Sequence, residues 1–237
     1  MNAIGYVERT WNPISGCLPG LDCWKRCWAR RMSKRLSVNP TVRGRGRYND
    51  FAPAVFPERM KDPFHWRKGQ RVAVGFMGDI ALQTEDVIQQ VAEVCAMTPQ
   101  HTFLWLTKRT GMLAEKTAGW GWPRNVWLGT SVMSQADVAT GRIERLLEIP
   151  TALHWVSVEP MVGPVKLPQN VLSRIDWIVA GPETGPKARE CQEAWMDALF
   201  FDCMDWHVPF WDKRKGYGFG KDMPLAALTL RGAGRRA

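Results

Sequence analysis

Three thiols stand within one short stretch of WNPISGCLPGLDCWKRCWARRMSKRL: Cys17, Cys23 and Cys27, spaced C-x5-C-x3-C. Thiolates ligate zinc and iron, so this spacing is the sharpest chemical signal in the chain. A structural zinc site takes four protein ligands, and the histidine nearest in sequence is His65. Zinc would therefore need a distant fourth ligand, which Cys95, Cys191 or Cys203 could supply. A three-thiolate iron–sulfur cluster needs none, because its remaining iron can bind a cofactor or substrate. Spacing alone leaves cluster, zinc and unligated thiols open. The histidines His65, His101, His154 and His207 show no metal-ligand spacing and read as structural.

A second set of chemistry-bearing residues follows short apolar runs: Met77-Gly78-Asp79, Thr107-Lys108-Arg109, Thr130-Ser131, Glu159-Pro160, Gly181-Pro182-Glu183 and Asp212-Lys213-Arg214. In parallel α/β folds, side chains at the C-terminal ends of strands converge on one mouth and build the site there. The runs that would position them read as strands at Arg71–Phe76, Thr102–Leu106, Val126–Gly129, Leu153–Val158, Trp177–Ala180 and Val208–Trp211, with an earlier one within Ala3–Glu8. Amphipathic stretches at Glu85–Met97, Ser134–Ile149 and Cys191–Met204 carry apolar residues at helical spacing. Strand–helix alternation without a glycine-rich dinucleotide turn predicts a partial (β/α) barrel of about six or seven parallel strands. One such domain would span residues 1–213.

The chain has 237 residues, 45% of them hydrophobic and 23% charged, which suits a folded domain and excludes a disordered or collagen-like chain. No run is long and apolar enough for a membrane span, and the N-terminal residues lack a signal-peptide pattern, so a cytoplasmic protein without membrane attachment is expected. Six cysteines then read as thiols or ligands and not as a disulfide framework. The net charge of +9 is uneven. Residues 25–71 hold 14 Lys/Arg against 3 Asp/Glu, whereas residues 72–211 hold 10 against 16. A localised basic surface favours a polyanion, with nucleic acid, DNA in particular, as the expected partner. Within a basic insertion at about 37–70, VRGRGRYND reads as a flexible loop that frees Arg43, Arg45 and Arg47 for phosphates, followed by a short helix around Pro57–Trp66. A basic tail covers 214–237. Trp24, Trp66, Trp120 and Trp122 sit among polar residues and could stack on bases.

The pieces TWNPISGC, CWA, WRKGQRVAVGFMGD, PQHTFLWLTKRTGML, NVWLGTSV, VSVEPMVGPV, IDWIVAGPETGPKAR and VPFWDK occur in order from about residue 10 to 213. Together they resemble the phage and bacterial three-Cys-motif proteins, a branch related to the radical S-adenosylmethionine superfamily. The chain departs from that pattern in placing three residues, Trp24-Lys25-Arg26, between its last two cysteines, and Trp28 where Tyr is usual. It also carries Gly181-Pro182-Glu183-Thr184-Gly185 for Gly-Gly-Glu-Ser-Gly, and Val158-Glu159-Pro160 for Cys-Glu-Pro.

The resemblance implies a 4Fe-4S cluster on Cys17, Cys23 and Cys27, with S-adenosylmethionine as cofactor and an external electron donor. It places Trp28 near the adenine, Gly78 and Asp79 near the methionyl amino group, Thr130 and Ser131 near ribose or carboxylate, and Glu159 near a ribose hydroxyl or substrate amine. Lys108, Arg109, Glu183 and Lys213 are the substrate candidates, with Lys108, Glu159 and Glu183 the catalytic ones. The implied reaction is radical modification or isomerisation of a decorated pyrimidine in phage DNA. A cluster- or zinc-stabilised nucleic-acid-binding protein without catalysis, and a radical enzyme for a small metabolite or peptide, are the alternatives.

Overall fold

The computed structural model describes residues 4–216, and the α/β expectation holds, with seven parallel strands shared between two compact units. That number fits the expected partial barrel.

One unit comprises residues 7–126. Its strands β1 (Arg9–Trp11), β4 (Arg71–Val74) and β5 (Thr102–Thr107) lie in the order β1-β4-β5, in register at Thr10↔Ala73 and Ala73↔Leu104. The first strand thus begins beyond the expected Ala3–Glu8. Gly5, at φ 81°, turns the chain there, and Glu8 pairs with Arg71 at the foot of β4. Between β1 and β4 an antiparallel pair, β2 (Ile14–Ser15) with β3 (Ala54–Val55), brackets the cysteine loop and helix α1 (Trp28–Val38). Helix α2 (Glu85–Met97) has its expected bounds because its signals agree. Thr84 caps it, Glu85 and Asp86 sit in its first turn, and Ile88, Val91, Ala92 and Cys95 recur at helical spacing on its buried face. Helix α3 (Thr110–Lys116) follows β5 directly, a helix that the sequence pattern does not announce.

The basic insertion does not remain an open loop. Arg45–Phe51 folds into 3-10 turns whose Tyr48 and Phe51 pack with Phe56, Ala29 and Met77. The expected short helix resolves into two 3-10 turns, Pro57–Arg59 and Asp62–His65. Aromatic residues at 48, 51 and 56 supply the apolar surface that collapses the segment, a signal its Arg and Gly content masks.

The other unit comprises residues 4–6 and 127–216, with β6 (Val126–Val132) starting one residue before it. Strands β6, β7 (Leu153–Val158), β8 (Trp177–Ala180) and β9 (Phe210–Asp212) follow in sequence order, all parallel. The helical stretch 134–149 breaks into α4 (Gln135–Val138) and α5 (Arg142–Leu146), since Gly141 takes a left-handed φ of 72°. A short helix α6 (Gln169–Leu172) precedes β8, and α7 (Glu193–Asp205) precedes β9. Val156, Val158, Ile178, Leu199, Cys203 and Phe210 share one core cluster there. Cys95 and Cys203 are buried core thiols, whereas Cys191 lies just ahead of α7 and half-buried. No helix among the described residues is long and apolar enough to cross a membrane. Of the basic tail, residues 217–237 lie outside the described residues.

Candidate functional site

The cysteine loop leaves the end of β1 and is stitched to the end of β4 by its backbone. Gly16 N donates to Met77 O (3.0 Å), Asp79 N donates to Gly16 O (3.1 Å), and Asn12 Oδ1 accepts from Met77 N (3.2 Å). Two glycines make this approach possible. Gly16 holds φ at 88°, and a Cβ there would fall 1.9 Å from Ala52 O, while one on Gly78 would fall 2.7 Å from the Ser15 carbonyl carbon. Gly78, expected to face a cofactor, is thus first required for close backbone packing.

Asp79, 5% exposed, caps the 3-10 turn Ile80–Leu82 and gathers the end of β5. Its Oδ1 accepts from Ala81 N (3.2 Å) and Thr107 Oγ1 (2.5 Å), and its Oδ2 from Lys108 N (3.2 Å) and Arg109 Nη1 (3.4 Å). Both carboxylate oxygens are therefore taken by internal donors, which makes Asp79 an orienting residue. What it orients is Arg109. Thr107 Oγ1 also accepts from Arg109 N (3.0 Å), and the guanidinium then reaches Cys17 Sγ through Nη1 (3.4 Å) and Leu18 O through Nη2 (3.1 Å). Burial pushes the Cys17 thiol above its ordinary pKa, and the Arg109 charge acts against that rise. Arg109, expected to meet substrate, thus lies on the first cysteine.

Cys17, Cys23 and Cys27 are half-buried and in no disulfide, and Cys17 and Cys27 pack against the same aromatic cluster of Tyr48, Phe51 and Phe56. Three reduced thiols on one loop, with a cation on the first, form a donor set whose chemistry suits thiolate ligation of iron. Among the described residues no three Cys, His, Asp or Glu side chains stand together as a formed metal site. The structure therefore supplies the donors and gives no ligation geometry. Trp28, expected near an adenine, is 51% exposed at the start of α1. Trp24 lies under Arg30 (4.6 Å), Trp66 under Arg9 (4.8 Å), and Trp120 and Trp122 pair with each other. In the basic insertion Arg43 forks onto Asp62 (2.9 and 3.0 Å) and Arg47 pairs with Glu58 (3.5 Å), while Arg45 is exposed.

The unit with β6–β9 builds its own polar group at strand ends. Glu159, after β7, accepts from Lys213 Nζ (2.5 Å), Ser157 Oγ (3.3 Å) and Tyr6 Oη (3.4 Å). A Cβ at position 181 would approach Lys213 Cβ to 3.0 Å and Glu159 Oε1 to 3.2 Å, so Gly181 leaves the pair its room. Tyr6 is 1% exposed, and burial, then the Glu159 charge beside it, holds its phenol well above the ordinary pKa and hence protonated. Sequence reading missed Tyr6, which lies 153 residues from the carboxylate it serves and has no motif of its own. Glu183 is gripped by Arg189 through Nε (2.9 Å) and Nη2 (3.0 Å). Thr130 and Ser131 are buried within β6, which runs to Val132 and not only to Gly129 as read from sequence. Lys108 is half-buried beside its backbone bond to Asp79.

Residues 1–235 match the family model described as "Protein of unknown function (DUF5131)", and the chain belongs to that family. No curated protein and no solved structure matches it.

Proposed function

We propose that this member of the family is a radical S-adenosylmethionine enzyme whose substrate is a modified pyrimidine base in nucleic acid. The observation that carries the reading is the trio of half-buried cysteines in the loop after β2, none of them in a disulfide, with Arg109 held against the first of them by a buried carboxylate. Cys17, Cys23 and Cys27 would hold a 4Fe-4S cluster; given one electron by an external donor and bound with S-adenosylmethionine, such a cluster supplies a 5′-deoxyadenosyl radical and methionine, and the radical abstracts hydrogen from a substrate.

Each residue of the chain then has a task that follows from its surroundings. Arg109 offsets the negative charge of the Cys17 thiolate and donates an N–H to its sulfur, which favours the more negative, reduced form of whatever the thiolate ligates. Asp79 and Thr107 fix that guanidinium in place. In the other unit, Glu159 accepts hydrogen bonds from Tyr6 and Ser157 and, with Lys213, forms a candidate pair for binding or proton transfer. Thr130, Ser131, Lys108 and Glu183 keep the cofactor and substrate roles that the resemblance implies.

The test is anaerobic reconstitution with iron and sulfide, followed by incubation with S-adenosylmethionine and reductant. A brown chromophore and 5′-deoxyadenosine are expected. Changing Cys17, Cys23 or Cys27 to Ala abolishes the chromophore, whereas Cys95→Ala, Cys191→Ala and Cys203→Ala leave it. A colourless protein that retains zinc, or equal dependence on Cys95, Cys191 or Cys203, overturns the reading.

A further inference from the structure

We propose that the outward face of α1 is a binding surface for single-stranded nucleic acid, with Arg31, Lys34 and Arg35 on phosphates and Trp28 stacked on a base. The proposal rests on nucleic acid as the substrate class and does not depend on the cluster.

The exposed residues of α1 are Trp28, Arg31, Lys34, Arg35 and Val38. Positions 28, 31 and 35 follow one another at steps of three and four, and Lys34 neighbours 31 and 38, so all of them share one face. From 28 to 35 the helix rises about 10 Å, the axial run of roughly three phosphates on one strand. No acidic residue occurs anywhere on α1. Its basic residues therefore have no partner at i,i+3 or i,i+4 on their own helix. Exposure of a tryptophan in line with them needs a reason, since the same helix buries Ala29 and Ser33 and packs Met32 and Leu36 inward. A flat aromatic amid cations is what an unpaired base requires: a ring to stack on and charges along its backbone.

The sequence assigned phosphate binding to Arg43, Arg45 and Arg47. The structure spends two of those guanidinium groups on Asp62 and Glu58. A basic amphipathic helix can also lie on a membrane, but that needs a free apolar face. On α1 the apolar face is already packed against Tyr48, Phe51 and Phe56, which favours nucleic acid.

Charge and stacking leave different signatures in one measurement, the anisotropy of a short fluorescein-labelled oligothymidylate titrated with full-length protein at several salt concentrations. Replacing Arg31, Lys34 and Arg35 together by Ala flattens the slope of log affinity against log salt by up to about 2, at about 0.7 per lost contact. Trp28→Ala weakens binding roughly 5- to 150-fold with the slope unchanged. Replacing Arg43, Arg45 and Arg47 together lowers the slope by no more than about one contact. The substituted positions on α1 are exposed, and circular dichroism verifies that the helix persists; should the triple variant unfold, single substitutions at 31 and 35 carry the same test. No binding by the wild-type protein, an unchanged slope in the α1 variant, or binding transferred to phosphatidylserine vesicles overturns the proposal. Chromophore formation in the same variants reads the cluster separately, so either idea can fail without the other.

Discussion

The cysteine-loop unit and the β6–β9 unit solve the same problem by opposite means. In the first, the reactive groups are neighbours in sequence, and the fold's work is to hold their loop: Gly16 and Gly78 bring two backbones into contact, and Asp79 draws Thr107, Lys108 and Arg109 onto it. In the second, no two members of the polar group beyond Ser157 and Glu159 are close in sequence, and three separate segments deliver Tyr6, Glu159 and Lys213. The difference lies in where charge is left. Glu159 and Lys213 satisfy each other, whereas Arg109 extends past its carboxylate to a thiol. A cation placed on a sulfur favours the thiolate.

The largest way to break this contrast is at its backbone contact. Gly16→Ala forces a Cβ against Ala52 O at a left-handed φ, so a loss of at least about 3 kcal/mol is expected in urea unfolding, together with loss of the chromophore proposed for the reconstituted protein. Gly181→Ala, whose Cβ meets only side chains at 3.0 Å or more, costs far less. If the two variants unfold at the same urea concentration, the cysteine loop is not locked as described.

A smaller effect separates holding the thiols from tuning them. Arg109→Met removes the N–H donor while keeping the side-chain length. If the thiols hold the proposed cluster, iron content should stay near that of the wild type, while the cluster's reduction equilibrium falls about tenfold, 59 mV for one electron. The midpoint potential, followed by absorbance during redox titration, decides this, and a potential unchanged in Arg109→Met removes the role given to Arg109. Replacing Lys213 by Met in the other unit should leave the potential where it was.

The smallest expected effect sharpens the second region by pH. Tyr6 has its folded-state pKa raised, so the folded protein binds more protons than the unfolded chain above about pH 10. The resulting stability is complete below the unfolded tyrosine pKa and is lost as pH rises toward the folded one. Tyr6→Phe should therefore flatten the fall in melting temperature above about pH 10, on top of a smaller, pH-independent loss from its missing hydrogen bond to Glu159. An identical alkaline slope in both proteins would show that Tyr6 carries no such linkage.

Much of the architecture was legible because local signals agreed with one another. Helix α2 carries a Thr cap, acidic first turn and apolar period together, and β7 and β8 are bounded apolar runs, so their limits follow directly from the residues. Where one residue overrode a period the reading slipped, as at Gly141, whose left-handed backbone divides one expected helix into two. The identities of Cys17, Cys23 and Cys27, their spacing and the basic excess of residues 25–71 are properties of the sequence and needed no structure. Which cations remain free, and which carboxylates are already used, could not be read there. Arg43 meets Asp62, Arg109 meets Asp79 and Cys17, and Tyr6 meets Glu159 only because chain segments 19 to 153 residues apart are packed together. Hydrogen bonds and ion pairs act over a few ångströms, a proximity that sequence separation does not encode and that tertiary packing alone creates.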